Sequence, residues 1–137
     1  MSSFEEIKEG DIREFTTPEF TRTHFVRYAG AGGDYNPIHH DQTFAEKAGL
    51  PTVFGMGLFT AGVLSRVPAE WFGPENVRRY AVKFSTRAWP GDVVTCKGVV
   101  TKVYEDDGRK HVDLALTATN QKGEVLISAE ATCRPWK

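Results

Sequence analysis

The sequence predicts an α+β fold in a single domain, and three observations carry that prediction. The first is an evenly apolar run, Leu58 to Val67. It is too uniformly hydrophobic for a helix lying on a surface and reads as a helix enclosed on most sides, as when a sheet curls round it. The second is the alternation that follows, clearest where Val112, Leu114, Leu116 and Ala118 interleave with Asp113, Ala115, Thr117 and Thr119, the period of a strand with one face buried. The third is a pair of turn signals, Glu105-Asp106-Asp107-Gly108 and Asn120-Gln121-Lys122-Gly123, which fold neighbouring strands back antiparallel. An enclosed helix followed by long antiparallel strands is an α+β arrangement. The chain of 137 residues suits one domain, 1–137, and at that size roughly two-thirds of its surface can be buried without a disulfide or a metal.

Taken in order, residues 1–10 are a lead-in closed by a turn at Glu9-Gly10-Asp11, and Ile12 to Thr16 forms a short strand. Thr21 or Thr23 caps a helix through Ala29 that Gly30 ends, with Phe25, Tyr28 and Ala29 on one face and His24 exposed. Asp41 caps a short helix, Gln42 to Ala48, whose apolar stripe is Phe44, Ala45 and Ala48 and which Gly49 and Pro51 stop. Pro68 limits the enclosed helix, and Trp71-Phe72-Gly73-Pro74 reads as an irregular connection. Val77 to Thr86 is a strand with Tyr80, Val82 and Phe84 on one face. After the turn at Pro90-Gly91-Asp92 comes Val93 to Tyr104, with Gly98 as a bulge or sharp bend, and Glu124 to Arg134 is the last strand.

Composition excludes several classes of function. A net charge of −1 gives no electrostatic footprint for nucleic acid. No stretch approaches the ~20 apolar residues of a membrane span, and the acidic N-terminal decade does not read as a secretory signal. Two cysteines, Cys96 and Cys133, are too few for a disulfide framework and suit a reducing cytoplasm.

Chemistry concentrates in Gly33-Asp34-Tyr35-Asn36-Pro37-Ile38-His39-His40-Asp41. Asn36 and Pro37 oppose helix and favour a bend. A bend can bring the Asp34 carboxyl and the His39 imidazole, five residues apart, to one point. Their ordinary pKa values, about 3.9 and 6.5, suit an acid–base pair once a site adjusts them. The spacing alone equally describes a surface turn in which Asp34 and Asn36 cap backbone. A metal site built from Asp34, His39, His40 and Asp41 is a third reading, and no further Cys/His cluster supports it.

With these residues in place, the chain resembles the MaoC-like acyl dehydratases, or R-specific enoyl-CoA hydratases, over about residues 4–134. The family motif Asp-x-Asn-x-x-His stands here as Asp34, Asn36 and His39, supported by Gly33, Pro37 and Asp41. The helix-opening glycine is matched to Gly57 and the Pro-Gly-Asp turn to Pro90–Asp92. The glycine spacing before the motif is similar to that of catalytic subunits of mycobacterial hydroxyacyl-carrier-protein dehydratases. Where many relatives place His or another polar residue just before the helix-opening glycine, this chain has Met56.

The resemblance implies a hot-dog fold, a central helix wrapped by a curved antiparallel sheet, paired side by side with a second hot-dog subunit as a homodimer or heterodimer. It implies reversible hydration of trans-2-enoyl thioesters to (R)-3-hydroxyacyl thioesters carried by coenzyme A or acyl carrier protein, with no metal and no cofactor. Asp34 and His39 would be catalytic, Asn36 would orient them, and the Gly57 N–H would stabilise the charge on the thioester oxygen. Arg66, Arg78, Arg79, Lys83 and Arg87 are available to meet phosphate or an acidic carrier, although a solvated strand face accounts equally for Arg78, Arg79 and Lys83. Two alternatives remain: a non-catalytic hot-dog subunit that binds acyl chains or stabilises a partner, for which the intact motif is superfluous, and a thioesterase, for which no separate acid stands out.

Overall fold

The computed structural model describes residues 4–136. Five strands, β1 (Ile12–Thr16), β2 (Val77–Phe84), β3 (Thr95–Asp106), β4 (Arg109–Thr119) and β5 (Val125–Cys133), form one antiparallel sheet in the order β1-β3-β4-β5-β2. Three α-helices accompany it: α1 (Arg22–Gly32), α2 (Gln42–Lys47) and α3 (Gly57–Phe72). The long α3 touches all five strands, as expected of the hot-dog arrangement. It buries Ala61, Leu64, Val67, Trp71 and Phe72 against a sheet face built from Val112, Leu114, Leu116, Ala118, Ile127, Ala129 and Ala131. The alternation read from β4 is therefore the buried face, and the Asp107-Gly108 turn, with φ of 51° and 69°, is the left-handed pair that a two-residue hairpin requires.

Four local expectations are corrected. Pro68 does not limit α3, which continues through it to Phe72, so Trp71 and Phe72 are helical. An interior proline costs about 3 kcal/mol. Burying Trp71 and Phe72 in the core offsets that, at about 1.5–3 kcal/mol for a large apolar side chain. Gly98 is not a bulge: it pairs in register with Arg13 and Leu116, and the irregularity falls between Val100 and Lys102. Gly98 is needed for close approach instead, since a Cβ there would lie 2.7 Å from Val67 and 2.9 Å from Leu116. α1 does not stop at Gly30 but runs to Gly32, and only Gly33 enters the left-handed region, at φ 77°. The expected stripe on α2 shrinks to Ala45, with Phe44 and Ala48 exposed. Polar ties hold α2 instead: Arg22 Nη2 donates to Gln42 Oε1 (3.0 Å) and Thr52 Oγ1 (2.8 Å), and Gln42 Nε2 to the Pro51 carbonyl (3.2 Å). These bonds fix α1, α2 and the approach to α3 relative to one another.

Candidate active site

The left-handed Gly33 turns the chain out of α1 and into the Asp34–Asp41 segment. Two side chains then fold the backbone on itself. Asp34 Oδ1 accepts from the Asn36 N–H (3.3 Å), and Asn36 Oδ1 accepts from the Ile38 N–H (3.1 Å), both local turns that Asp and Asn favour. Pro37 opens a single 3-10 turn, Pro37–His39. The bend brings His39 Nε2 to 3.5 Å from Asp34 Oδ2. The imidazole is almost fully buried, while the carboxyl side chain is 47% exposed.

The second imidazole nitrogen fixes the ring. His39 Nδ1 lies 2.7 Å from the Phe54 carbonyl oxygen. A carbonyl only accepts, so Nδ1 carries a proton, and Nε2 is the nitrogen that faces Asp34. The Phe54 ring also meets His39 edge-on, with centroids 5.0 Å apart at 82°. Phe54 is held by its neighbour: the Gly55 N–H donates to the Ala88 carbonyl (2.8 Å), and a Cβ at Gly55 would stand 2.8 Å from the Phe25 ring.

Both dyad side chains line a cavity of ≈ 770 Å³, a volume suited to a small organic ligand. Gly57, the first residue of α3, lines it too. The Gly57 and Leu58 N–H groups have no acceptor among the described residues, as expected at a helix start, and they carry the positive end of the helix dipole. Gly57 also answers a packing demand, because a Cβ there would lie 2.7 Å from the Phe84 ring.

The remaining residues singled out from the sequence lie elsewhere. His40 is exposed, with Nε2 3.4 Å from the Tyr35 carbonyl. His24 is partly buried and closes a capping box with Thr21, whose N–H donates to His24 Nδ1 (2.9 Å). Among the described residues no group of three or more His, Cys, Asp and Glu gathers in a way that could hold a metal. Of the five basic residues, Arg66 pairs with Glu70 (2.7 Å) and Arg79 with Glu130 (3.2 Å), and Lys83 is exposed. The solvated-face reading fails for Arg78, whose guanidinium stacks on Trp136 at 4.6 Å with Nε and Nη2 buried. Only Arg87 lines the cavity. Cys96 and Cys133 are buried, and burial pushes each thiol up to about 12, which leaves them inert as nucleophiles.

Sequence reasoning missed Phe54 and Trp89. Phe54 contributes a carbonyl, which no side-chain pattern reveals. Trp89 lines the cavity and packs against Phe54 at 5.9 Å. Its position just before Pro90-Gly91-Asp92 was the available signal, since Asp92 Oδ2 accepts from the Trp89 N–H (2.8 Å).

Comparison with known proteins gives a consistent picture. Residues 6–122 match the family model described as MaoC like domain. The chain is 30% identical over 131 residues to the (R)-specific enoyl-CoA hydratase of Rhodospirillum rubrum, a match covering 94% of this chain and 88% of that protein. It is 47% identical over 60 residues to 3-hydroxyacyl-thioester dehydratase X of Mycobacterium tuberculosis, covering 43% of this chain and 20% of that protein. Two further curated relatives are likewise much longer than this chain, which spans 10% and 12% of their lengths. Among solved structures, the ChsH1-ChsH2 complex from Mycobacterium tuberculosis superposes with a TM-score of 0.79 at 23% identity, covering 91% of this chain and 95% of that one, a likeness of fold.

Proposed function

This chain belongs to the MaoC-like domain family, and from that premise we propose that it catalyses reversible hydration of trans-2-enoyl thioesters to (R)-3-hydroxyacyl thioesters. The observation that carries the proposal is the 3.5 Å contact between Asp34 and His39 on a cavity wall that also includes the first residue of α3.

In the hydration direction Asp34 takes a proton from water, and the water oxygen bonds to carbon 3. The double-bond electrons move toward the thioester, and its oxygen gains negative charge. The Gly57 N–H donates to that oxygen; an oxyanion donor of this kind is worth about 3–4 kcal/mol. The charge collapses back as His39, protonated at Nε2, gives its proton to carbon 2. Asp34 is then protonated and His39 neutral, and proton return across the 3.5 Å contact resets the pair. Dehydration runs the same steps backwards. Asn36 supports the geometry through its bond to the Ile38 N–H. The Phe54 carbonyl keeps the His39 proton on Nδ1, so the reacting proton is carried at Nε2. Each of the two proton transfers is worth about 10²–10⁴-fold.

The substrate arm is that of coenzyme A or a carrier protein. A second hot-dog subunit would cover the free edge of β2, the last strand of the sheet, beside which Leu58 and Phe84 stand exposed on the cavity wall. An uncovered edge of this kind invites pairing. Unpaired buried cysteines fit a reducing, cytoplasmic setting, and no helix among the described residues is long and apolar enough to cross a membrane.

The test is hydration of crotonyl-CoA and longer enoyl-CoA by the purified chain, followed as loss of enoyl absorbance. Turnover that persists in both Asp34→Asn and His39→Gln removes the assignment. An inert wild type that becomes active with a second hot-dog subunit identifies a heterodimer.

A further inference from the structure

Among the described residues Arg87 is the one Lys or Arg on the cavity wall, and its guanidinium has a ring beside it. Its Cζ lies 5.0 Å from the centre of the Phe54 ring, the same ring that meets His39. A guanidinium placed over a ring still has N–H groups that can donate. Among the described residues no carboxylate or carbonyl accepts from them: no hydrogen bond or ion pair involves the Arg87 side chain, although Ser85 and Thr86 share its stretch of wall. The side chain is exposed at the rim, whereas Met56, Thr60 and Ile127 form a buried wall.

Distance decides what such a donor can meet. Arg87 and His39 each lie 5.0 Å from the Phe54 ring centre, so the two are at most about 10 Å apart, the sum of those steps. The reacting carbons must sit within about 3 Å of His39. A pantetheine arm between thioester sulfur and phosphate is as long as about four extended residues, roughly 14 Å. An arm leaving the cavity extended therefore carries its phosphate past Arg87, while its two amide carbonyls come within reach.

Resting on the hydratase reading of the site, we propose that Arg87 grips the pantetheine arm by an amide carbonyl close to the thioester and does not read the phosphate. Phe54 then serves both ends of the substrate, its carbonyl fixing His39 and its ring fixing the donor that holds the arm. The grip recognises a feature that coenzyme A and carrier-bound thioesters share, and so does not discriminate between them.

The experiment measures dissociation constants, without turnover, for the saturated butyryl thioesters of N-acetylcysteamine, pantetheine and coenzyme A, in the wild type and in Arg87→Gln and Arg87→Lys. Among the described residues the Arg87 side chain makes no hydrogen bond or ion pair, so both variants should shift the unfolding midpoint only slightly, by no more than the lost contact with the Phe54 ring. A hydrogen bond to a charged donor corresponds to about ten- to a hundredfold in affinity. Arg87→Gln should weaken the pantetheine and coenzyme A thioesters by the same factor, about tenfold or more. Arg87→Lys, which keeps the charge but loses the fork, should recover only part of it. A loss with N-acetylcysteamine as well assigns the contact to the first amide, and its absence there to the second. A loss confined to coenzyme A, or full recovery by lysine, overturns the proposal in favour of a phosphate contact, and no loss with any thioester overturns it outright. Failure of the hydratase reading looks different: the wild type then binds none of the three and hydrates no enoyl thioester.

Discussion

Among the described residues an aspartate, a histidine and an aromatic ring come together in the Asp34–His39 loop and again beside the turn of the β3–β4 hairpin. The two histidines are alike in most respects. His39 and His111 are each 8% exposed. Each donates from Nδ1 to a backbone carbonyl, of Phe54 at 2.7 Å and of Arg109 at 2.9 Å. Each packs against an aromatic ring, Phe54 at 5.0 Å and Tyr104 at 5.2 Å. The carboxylates differ. Asp113 Oδ1 already accepts from the Thr132 hydroxyl (2.8 Å) and the Tyr104 hydroxyl (3.2 Å). Asp34 accepts one long bond from the Asn36 N–H and otherwise faces His39 and the cavity. Residue type does not distinguish the two regions. What distinguishes them is hydrogen-bonding capacity left over beside an empty volume: strand neighbours consume it at Asp113, and the bent loop preserves it at Asp34.

The largest expected effect tests that contrast directly. Asp34→Asn and His39→Gln should each lower kcat for enoyl-CoA hydration by about a hundredfold or more with the unfolding midpoint nearly unchanged. Asp113→Asn and His111→Gln should leave kcat within about threefold and act on stability instead, since each disturbs a hydrogen bond without touching the cavity. A hundredfold kinetic loss at Asp113 or His111 would break the comparison.

The sequence made this contrast only half visible. The loop was legible because Asn36 and Pro37 announce a bend, and a bend is the one local geometry that joins residues five apart. The enclosed helix was legible from Leu58–Val67 and the sheet face from Val112, Leu114, Leu116 and Ala118, since uniform apolarity and strict alternation each have one physical reading. Pro68 and Gly98 misled, because a proline or glycine reports a local preference and the core overrode it at both positions. Phe54 was out of reach for another reason, and Arg87 could be named only as one of five basic candidates. One acts through its backbone and the other through its position over a ring, and both depend on contacts between distant parts of the chain.

A third aspartate sharpens the comparison at smaller amplitude. Asp92 is 4% exposed and fully engaged: Oδ2 accepts from the Trp89 N–H (2.8 Å) and Oδ1 from Gln121 Nε2 (3.0 Å). Asp92→Ala leaves a partly buried N–H and the Gln121 amide without their acceptor, so denaturant titration should show a loss of about 1–3 kcal/mol. Because Trp89 lines the cavity, KM should rise more than kcat falls. A kinetic loss as deep as that of Asp34→Asn, in a folded protein, would make Asp92 part of the chemistry.

The buried thiols give the next effect, and its sign is fixed by their environment. Burial raises Cys96 and Cys133 from 9.0 to about 12, with the Asp113 charge adding to the rise at Cys133. Between those values the folded chain keeps protons that the unfolded chain releases, so stability is full below pH 9 and falls as pH climbs toward 12. By pH 10 each thiol should account for about 1 kcal/mol of loss, measured as a falling denaturation midpoint. Cys133→Ala should flatten that slope while lowering stability at neutral pH.

The smallest expected effect isolates one bond of the saturated network. Tyr104→Phe keeps the ring against His111 and removes only the hydroxyl that donates to Asp113 Oδ1 at 3.2 Å. Asp113 retains the shorter bond from Thr132, and the site is partly open to water, so the change should cost about 0.5 kcal/mol, the low end for a hydrogen bond. Enoyl-CoA hydration should be unaffected. With Tyr104 and Thr132 both stripped of their hydroxyls, by Tyr104→Phe with Thr132→Val, Asp113 would be left as unencumbered as Asp34. The double variant should still gain no activity, because Asp113 does not line the cavity that Asp34 shares with the first residue of α3. Hydration assayed in Asp34→Asn with those two changes added would reveal any transfer of function. A measurable rescue would mean that free hydrogen-bonding capacity alone makes a site, and that the volume and helix end beside Asp34 are dispensable.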